Sequence, residues 1–278
     1  ITNNNNLEDV LILTANPYHE APIASSNIQF YNSDTIYADS IRHRLYDNDT
    51  IYIAENSIVL GAFDADSTNN VVIYGRGIIY NGHVLHDEDY SVVFGEYAND
   101  FFIEGVTIVN SPGWNIRTYL NKCTIQNVKT IGQWLFNTDG VQIGGEDIIV
   151  EDCFFQTNDD CFALSGYSKN VEISNNIGWN LFNGSHIMLG WHELFINNTH
   201  VHDNIVIRNG DCCYTDSLSE ISGPLTLRLK SDTMAYGPNY IDSVIIEDIV
   251  IEEIVNNGVW VSLLIDTLVP TLTIQNLI

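Results

Sequence analysis

The chain is 278 residues long and 45% apolar, and it carries 36 acidic against 10 basic side chains for a formal net charge of −26. Length and apolar content suffice for one large core. The charge excludes nucleic acid and anionic membrane surfaces as partners, because both need clustered Lys and Arg to neutralise phosphates. A neutral or cationic ligand, or a metal, remains. No run approaches the roughly 18 consecutive apolar residues of a membrane-spanning helix. Ile, Val, Asn and Asp are abundant while helix-forming stretches of Ala, Leu, Glu and Lys are missing, so local preference favours strands punctuated by turns.

In chain order, residues 1–45 show no clear repeat, and Asn16-Pro17-Tyr18 and Ala21-Pro22 interrupt any pattern. This stretch reads as an N-terminal cap or the remnant of a preceding domain. Ile1 begins without a charged and apolar leader, so the chain is expected to be processed or trimmed. From residue 46 to 278 an internal repeat takes over. Its core is an apolar residue, any residue, then Gly, Asn or Asp. It occurs as Ile103-Glu104-Gly105, Ile125-Gln126-Asn127, Val150-Glu151-Asp152, Ile173-Ser174-Asn175, Val201-His202-Asp203, Ile246-Glu247-Asp248 and Ile274-Gln275-Asn276.

The leading residues are separated by 22, 25, 23, 28, 45 and 28 positions. A period in the twenties with strand-forming composition is that of one coil of a parallel β-helix. The third position explains the mechanism: Gly, Asn and Asp tolerate left-handed backbone geometry, so a tight turn recurs there on every coil. The long step holds either an insertion around residues 209–223 or a degenerate extra coil. A leucine-rich repeat lacks its leucines here, and a β-sandwich would show hairpin turns. The expected fold is all-β, a right-handed parallel β-helix. The chain stops at Ile278 inside a repeat, and an open apolar end needs a cover, so further sequence is expected beyond it.

Five cysteines, at positions 123, 153, 161, 212 and 213, form no zinc spacing and leave buried thiols or one or two disulfides open. Sequons at Asn48, Asn183 and Asn197 are compatible with secretion but occur by chance in an Asn-rich chain.

Three segments align one coil apart: Asp139-Gly140-Val141, Asp160-Cys161-Phe162 and Ser185-His186-Ile187, offset by 21 and 25 residues. Residues one coil apart stack at roughly 4.8 Å, so Asp139 and Asp160 are expected as neighbours with Asp159 beside them. Carboxylates so close repel, one keeps its proton while a partner stays ionised, and such a pair suits acid–base work at a glycosidic bond. A solvated turn or a calcium site are the alternatives. Trp134, Trp191, Tyr119 and Tyr167 flank these segments and offer flat faces for sugar rings or for core packing. His200 and His202 alternate on one strand before Asp203, a spacing that suits a metal or, as expected here, a solvated pair.

Asn137-Thr138-Asp139-Gly140, Asn158-Asp159-Asp160 and Ile187-Met188-Leu189-Gly190-Trp191 resemble the catalytic region of the dextranase and isopullulanase family of glycoside hydrolases. Thr50-Ile51-Tyr52-Ile53 through Gly61-Ala62-Phe63 and Tyr74-Gly75-Arg76-Gly77-Ile78 resemble its opening coils, so the likeness runs from about residue 45 to 209. The resemblance implies a pectate-lyase-like solenoid and a secreted, inverting enzyme, probing a neutral α-glucan such as dextran or pullulan in endo fashion. It implies Asp159 as general acid, with Asp139 and Asp160 as bases that activate water. Asn137, Gln142, Tyr167, Lys169, His186, Trp191 and Lys230 are the expected substrate contacts. No cofactor, metal, nucleic acid or membrane partner is expected, and oligomeric state is not fixed by the sequence. The polygalacturonases form a sister group, and Arg228-Leu229-Lys230 resembles their Arg-Ile-Lys motif. Against them, Ser185 stands where their histidine falls and His186 is displaced by one. A non-catalytic glycan-binding β-helix is the third reading.

Overall fold

A computed structural model describes residues 28–31, 36–37, 42–86, 91–132, 137–182, 184–208, 225–229, 240–252, 261–265 and 271–278. Every strand pairing among them is parallel, there is no helix among them, and the coils stack into a β-helix of about seven turns. Each central coil contributes one short strand, such as Phe154–Thr157 or Ile177–Asn180, and one long strand, such as Val141–Glu151, Phe162–Ser174 or Ile187–His202.

The leading residues of the repeat stack in direct register: Ile103, Ile125, Val150, Ile173, Val201, Ile246 and Ile274 follow one another from coil to coil. The first six have no solvent exposure. Each buried Ile or Val contributes on the order of 2 kcal/mol, so the column adds to the axial cohesion at every rung. Two positions on, all seven Gly, Asn and Asp residues adopt left-handed geometry, with φ between 52° and 79°. The turn between the long and short strands is therefore where the residue types placed it.

A second left-handed column crosses the long strands at Asn70, Asp100, Lys122, Asp147, Asn170, Asn198 and Ser243. Its side chains bond along the stack: Lys122 Nζ donates to Asp100 Oδ1 at 2.6 Å, Asn170 Nδ2 to Asp147 Oδ1 at 2.7 Å, and Asn198 Nδ2 to Asn170 Oδ1 at 2.8 Å. Inside the wall, Asn176 and Asn204 are fully buried and satisfy backbone groups of neighbouring coils.

The 45-residue step is an insertion within one coil, because Val201 pairs directly with Ile246. Within that insertion Leu225–Leu229 pairs with the first half of the strand Ile187–His202, and Tyr240–Ile251 pairs with its second half. Coil pairing also reaches upstream of residue 46: Ile28–Tyr31 pairs with Thr50–Ile53, and Arg42–Arg44 with Ala62–Asp64. Cys123, Cys153 and Cys161 are buried free thiols, and burial pushes the last two up to about 12. Cys212 and Cys213 lie outside the described residues.

Candidate active site

The carboxylates sit at the turn where a short strand ends and the next long strand begins. Val141 pairs with Phe162 and Phe162 with Ile187, which aligns Asp139, Asp160 and Ser185 on consecutive rungs. Backbone bonds confirm the stacking: Gly140 N donates to Asp160 O at 2.8 Å, and Cys161 N to Ser185 O at 2.8 Å. Asp159 joins them from the same turn, its Oδ2 accepting the Asn137 N–H at 2.9 Å.

The turn is held from behind. Thr157 Oγ1 and Asn180 Nδ2 both donate to the Asp159 carbonyl, at 2.6 and 2.7 Å, and Asn115 Nδ2 donates to the Asp139 carbonyl at 2.9 Å. Gly184, at φ 81°, lies so close that a Cβ there would stand 2.6 Å from Asp160 Oδ1 and 2.5 Å from its amide nitrogen. Any side chain at that position must push the carboxylate pair aside. None of these four residues is distinguished by its type. Asn180, 21 residues after Asp159, and Asn115, 24 before Asp139, are traceable only through the coil offset.

The three acids differ in environment. Asp139 is 7% exposed and Asp160 3%, whereas Asp159 is half-buried. Burial, followed by the charges of Asp159 and Asp160, holds the Asp139 carboxyl well above the usual carboxylate range. Asp160 Oδ1 accepts the Ser185 N–H at 2.6 Å, and Asp159 Oδ1 the Asp160 N–H at 3.1 Å. Burial and its two acidic neighbours thus hold Asp139 toward its protonated form.

The other expected contacts divide. Asn137 is exposed beside the trio, and Gln142 is nearly buried in register with Arg117 and Ala163, its Oε1 without a hydrogen-bond partner. Tyr167 and Lys169 lie further along the same sheet. Tyr167, 47% exposed, stacks on Phe195 at 5.1 Å, and Phe195 stacks on Tyr240 at 5.1 Å, an aromatic ladder over three rungs. Lys169 Nζ pairs with Glu146 at 2.5 Å. His186 is not brought to the surface: it is 0% exposed, edge-on to Phe162 at 5.2 Å, and burial pushes its imidazole down to about 3. Alternation explains this, since Ser185 occupies the outward column of Asp139 and Asp160 and the next residue points inward. Gly178 leaves the room, for a Cβ there would lie 2.1 Å from His186 Nδ1. The Trp191 side chain, Trp134 and Lys230 lie outside the described residues.

A cleft of about 410 Å³ opens beside the ladder, lined by Tyr97, Tyr119, Gly145 and Tyr167. Arg117 stands over the faces of Trp114 and Tyr119, at 4.9 Å from each, and pairs with Glu96 at 3.0 Å.

Fold and site together define a class, a parallel β-helix with clustered aspartates on one turn column. The family described as Glycosyl hydrolases family 28 matches residues 53–262, and the chain belongs to that family. A dextranase of Arthrobacter globiformis is 26% identical over 186 residues, covering 57% of this chain and 29% of that protein. The chain thus spans under a third of the length of this curated relative. Among solved structures, Dex49A from Penicillium minioluteum superposes with a TM-score of 0.65 at 14% identity, over 92% of this chain and 55% of that one. The family 28 exopolygalacturonase of Yersinia enterocolitica superposes with a TM-score of 0.58 at 13% identity, over 90% and 59%.

Proposed function

We propose that this chain hydrolyses glycosidic bonds with inversion, acting on a neutral α-glucan of the dextran or pullulan type. The observation that carries the reading is the aspartate trio, two buried carboxyl groups on consecutive rungs and a half-buried third in the same turn. Asp159, the most exposed of the three, donates its proton to the glycosidic oxygen as the bond from that oxygen to the anomeric carbon breaks. A water attacks the same carbon from the opposite face, and Asp160 or ionised Asp139 takes the proton the water releases. The aromatic ladder and the tyrosine-lined cleft supply apolar faces for pyranose rings. A neutral polymer suits a chain of net charge −26 better than a polyanion does, and the dextranase relative agrees. Secretion is part of the same reading, since a polymer must be met outside the cell.

One observation favours a pectin-directed alternative. Arg228-Leu229-Lys230 offers cations for a uronate, and Arg228 is in backbone register with Gly190, on the second rung after Asp160. Release of reducing ends from dextran, pullulan and polygalacturonate separates the two readings, and the absence of release from any glycan overturns both. Asp159→Asn is expected to lower turnover on the natural polymer about a hundredfold or more, with a smaller loss on an aryl glycoside whose leaving group needs no proton. Near-normal turnover on the polymer would remove Asp159 from the acid role.

A further inference from the structure

His200 and His202 are part-exposed, and each ring is bonded to a carboxylate. They stand two apart on the strand Ile187–His202, so both side chains leave the same face, and their rings approach to 4.2 Å between centroids. Val201 between them belongs to the buried column, which fixes that face as the outer one. Glu172 is in register with His200 on the preceding coil, and Glu247 with His202 on the following one. The Glu172 carboxylate reaches both rings: Oε1 contacts His202 Nε2, and Oε2 lies 3.7 Å from His200 Nδ1.

We propose that Glu172, His200 and His202 bind a divalent transition-metal ion of the zinc class on the outer face of the β-helix. One donor atom from each lies within 4.8 Å of the others. A zinc ion with bonds of roughly 2.0–2.2 Å holds its ligands about 3.3–3.5 Å apart, so half-exposed side chains close around it by small rotations. The stronger argument is what lies behind the imidazoles. His202 Nδ1 is bonded to Asp203 Oδ2 at 2.6 Å, and His200 Nε2 to Glu247 Oε1 at 2.9 Å. Each ring thus has a carboxylate on its outer nitrogen, which fixes the tautomer and turns the inner nitrogen toward Glu172. This is the arrangement by which metal-ligating histidines are oriented. Glu247 is itself held by Gln275 Nε2, and Asp203 by the left-handed turn of its coil, at φ 53°.

Two imidazoles with one carboxylate select zinc, cobalt, nickel or copper over calcium or magnesium, which prefer an all-oxygen shell. The ligands come from the strands Phe162–Ser174 and Ile187–His202, and an outer partner from Tyr240–Ile251. The ion therefore ties together two consecutive coils before the long insertion, and the His200–Glu247 bond links them to the coil after it. It sits toward the opposite end of these strands from the aspartate trio, so its role is a staple, independent of hydrolysis.

The test is calorimetric titration of the chelator-treated protein with zinc chloride, together with cobalt(II) absorption spectra and melting curves. One equivalent of zinc is expected to bind, and cobalt(II) to give the intense visible bands of four-coordination. At a hundredfold excess of zinc over the dissociation constant, the melting temperature should rise by about 5–10 °C. His200→Gln and His202→Gln should each weaken binding a hundredfold or more, and Asp203→Asn about 10- to 100-fold. Zinc binding only in the millimolar range, or binding unchanged in the His200→Gln, His202→Gln double variant, would overturn the site. If those variants misfold, absence of the four-coordinate cobalt bands in the unaltered protein overturns it equally.

Discussion

Asp139 sets function against stability. Its folded-state proton affinity is raised above the ordinary value of 3.8 by burial first and by Asp159 and Asp160 next. Below that ordinary value the group is protonated whether the chain is folded or not. As pH climbs past it, the unfolded chain releases its proton first, so stability falls until folded Asp139 also ionises. Asp139→Asn removes this cost. The variant should be more stable than the parent at neutral pH by on the order of 1 kcal/mol, with the difference fading below about pH 4, near the ordinary aspartate value. Urea unfolding at a series of pH values reads this directly. If Asp139 also accepts a proton from water, the same variant should lose about a hundredfold or more in turnover. The acid limb of the parent's pH–rate profile should then lie above the range of an ordinary aspartate. An acid limb near pH 4, within that ordinary range, would exclude Asp139 as the base.

At the scale of the coil, one turn position recurs with the same backbone geometry at seven rungs. Asp152 is exposed there with φ 55°. Asp152→Val should cost about 1–2 kcal/mol, because a β-branched residue resists the left-handed region, whereas Asp152→Gly and Asp152→Asn should be close to neutral. Thermal melts of the three variants check the ranking, and equal stabilities would refute the geometric account. This column was legible in the sequence because only Gly, Asn and Asp occupy it and an apolar residue always stands two positions before. The second left-handed column was not, although Asp100, Asp147, Asn170 and Asn198 belong to it. It keeps the spacing of the first column, three residues before each leading apolar residue, but Lys122 and Ser243 break its residue pattern. The aspartate trio was legible through a 21-residue offset between identical residues. The inward turn of His186 and the stacking of Phe195 and Tyr240 on Tyr167 were hidden, since each depends on where alternation restarts after a turn or an insertion.

The whole molecule carries 36 acidic side chains against 10 basic ones on a stack of coils. Few of the acids are neutralised, so self-repulsion opposes the compact state. Raising ionic strength from 0.01 to 0.15 M shortens the screening length from about 30 to 8 Å. The melting temperature should therefore rise by several degrees, on the order of 1–2 kcal/mol of relieved repulsion, while kcat/KM on an uncharged glucan stays within about twofold. A melting temperature that falls with salt would indicate that ion pairs such as Arg44–Asp64 and Arg117–Glu96 outweigh the excess charge. The insertion between Ile205–Arg208 and Tyr240–Ile251 bears on how such a molecule diversifies. Since Val201 meets Ile246 whatever the chain does in between, the stack does not count the residues of that excursion. It can lengthen, shorten or be exchanged by recombination with no slip in the rungs on either side. One of its strands, Leu225–Leu229, nonetheless lies against Ile187–Gly190, beside the acids. Inheritance can therefore rewrite the sheet next to the strand Ile187–His202 while copying the scaffold unchanged, and a grafted segment of foreign length at this point is the natural place to begin redesigning what the protein accepts.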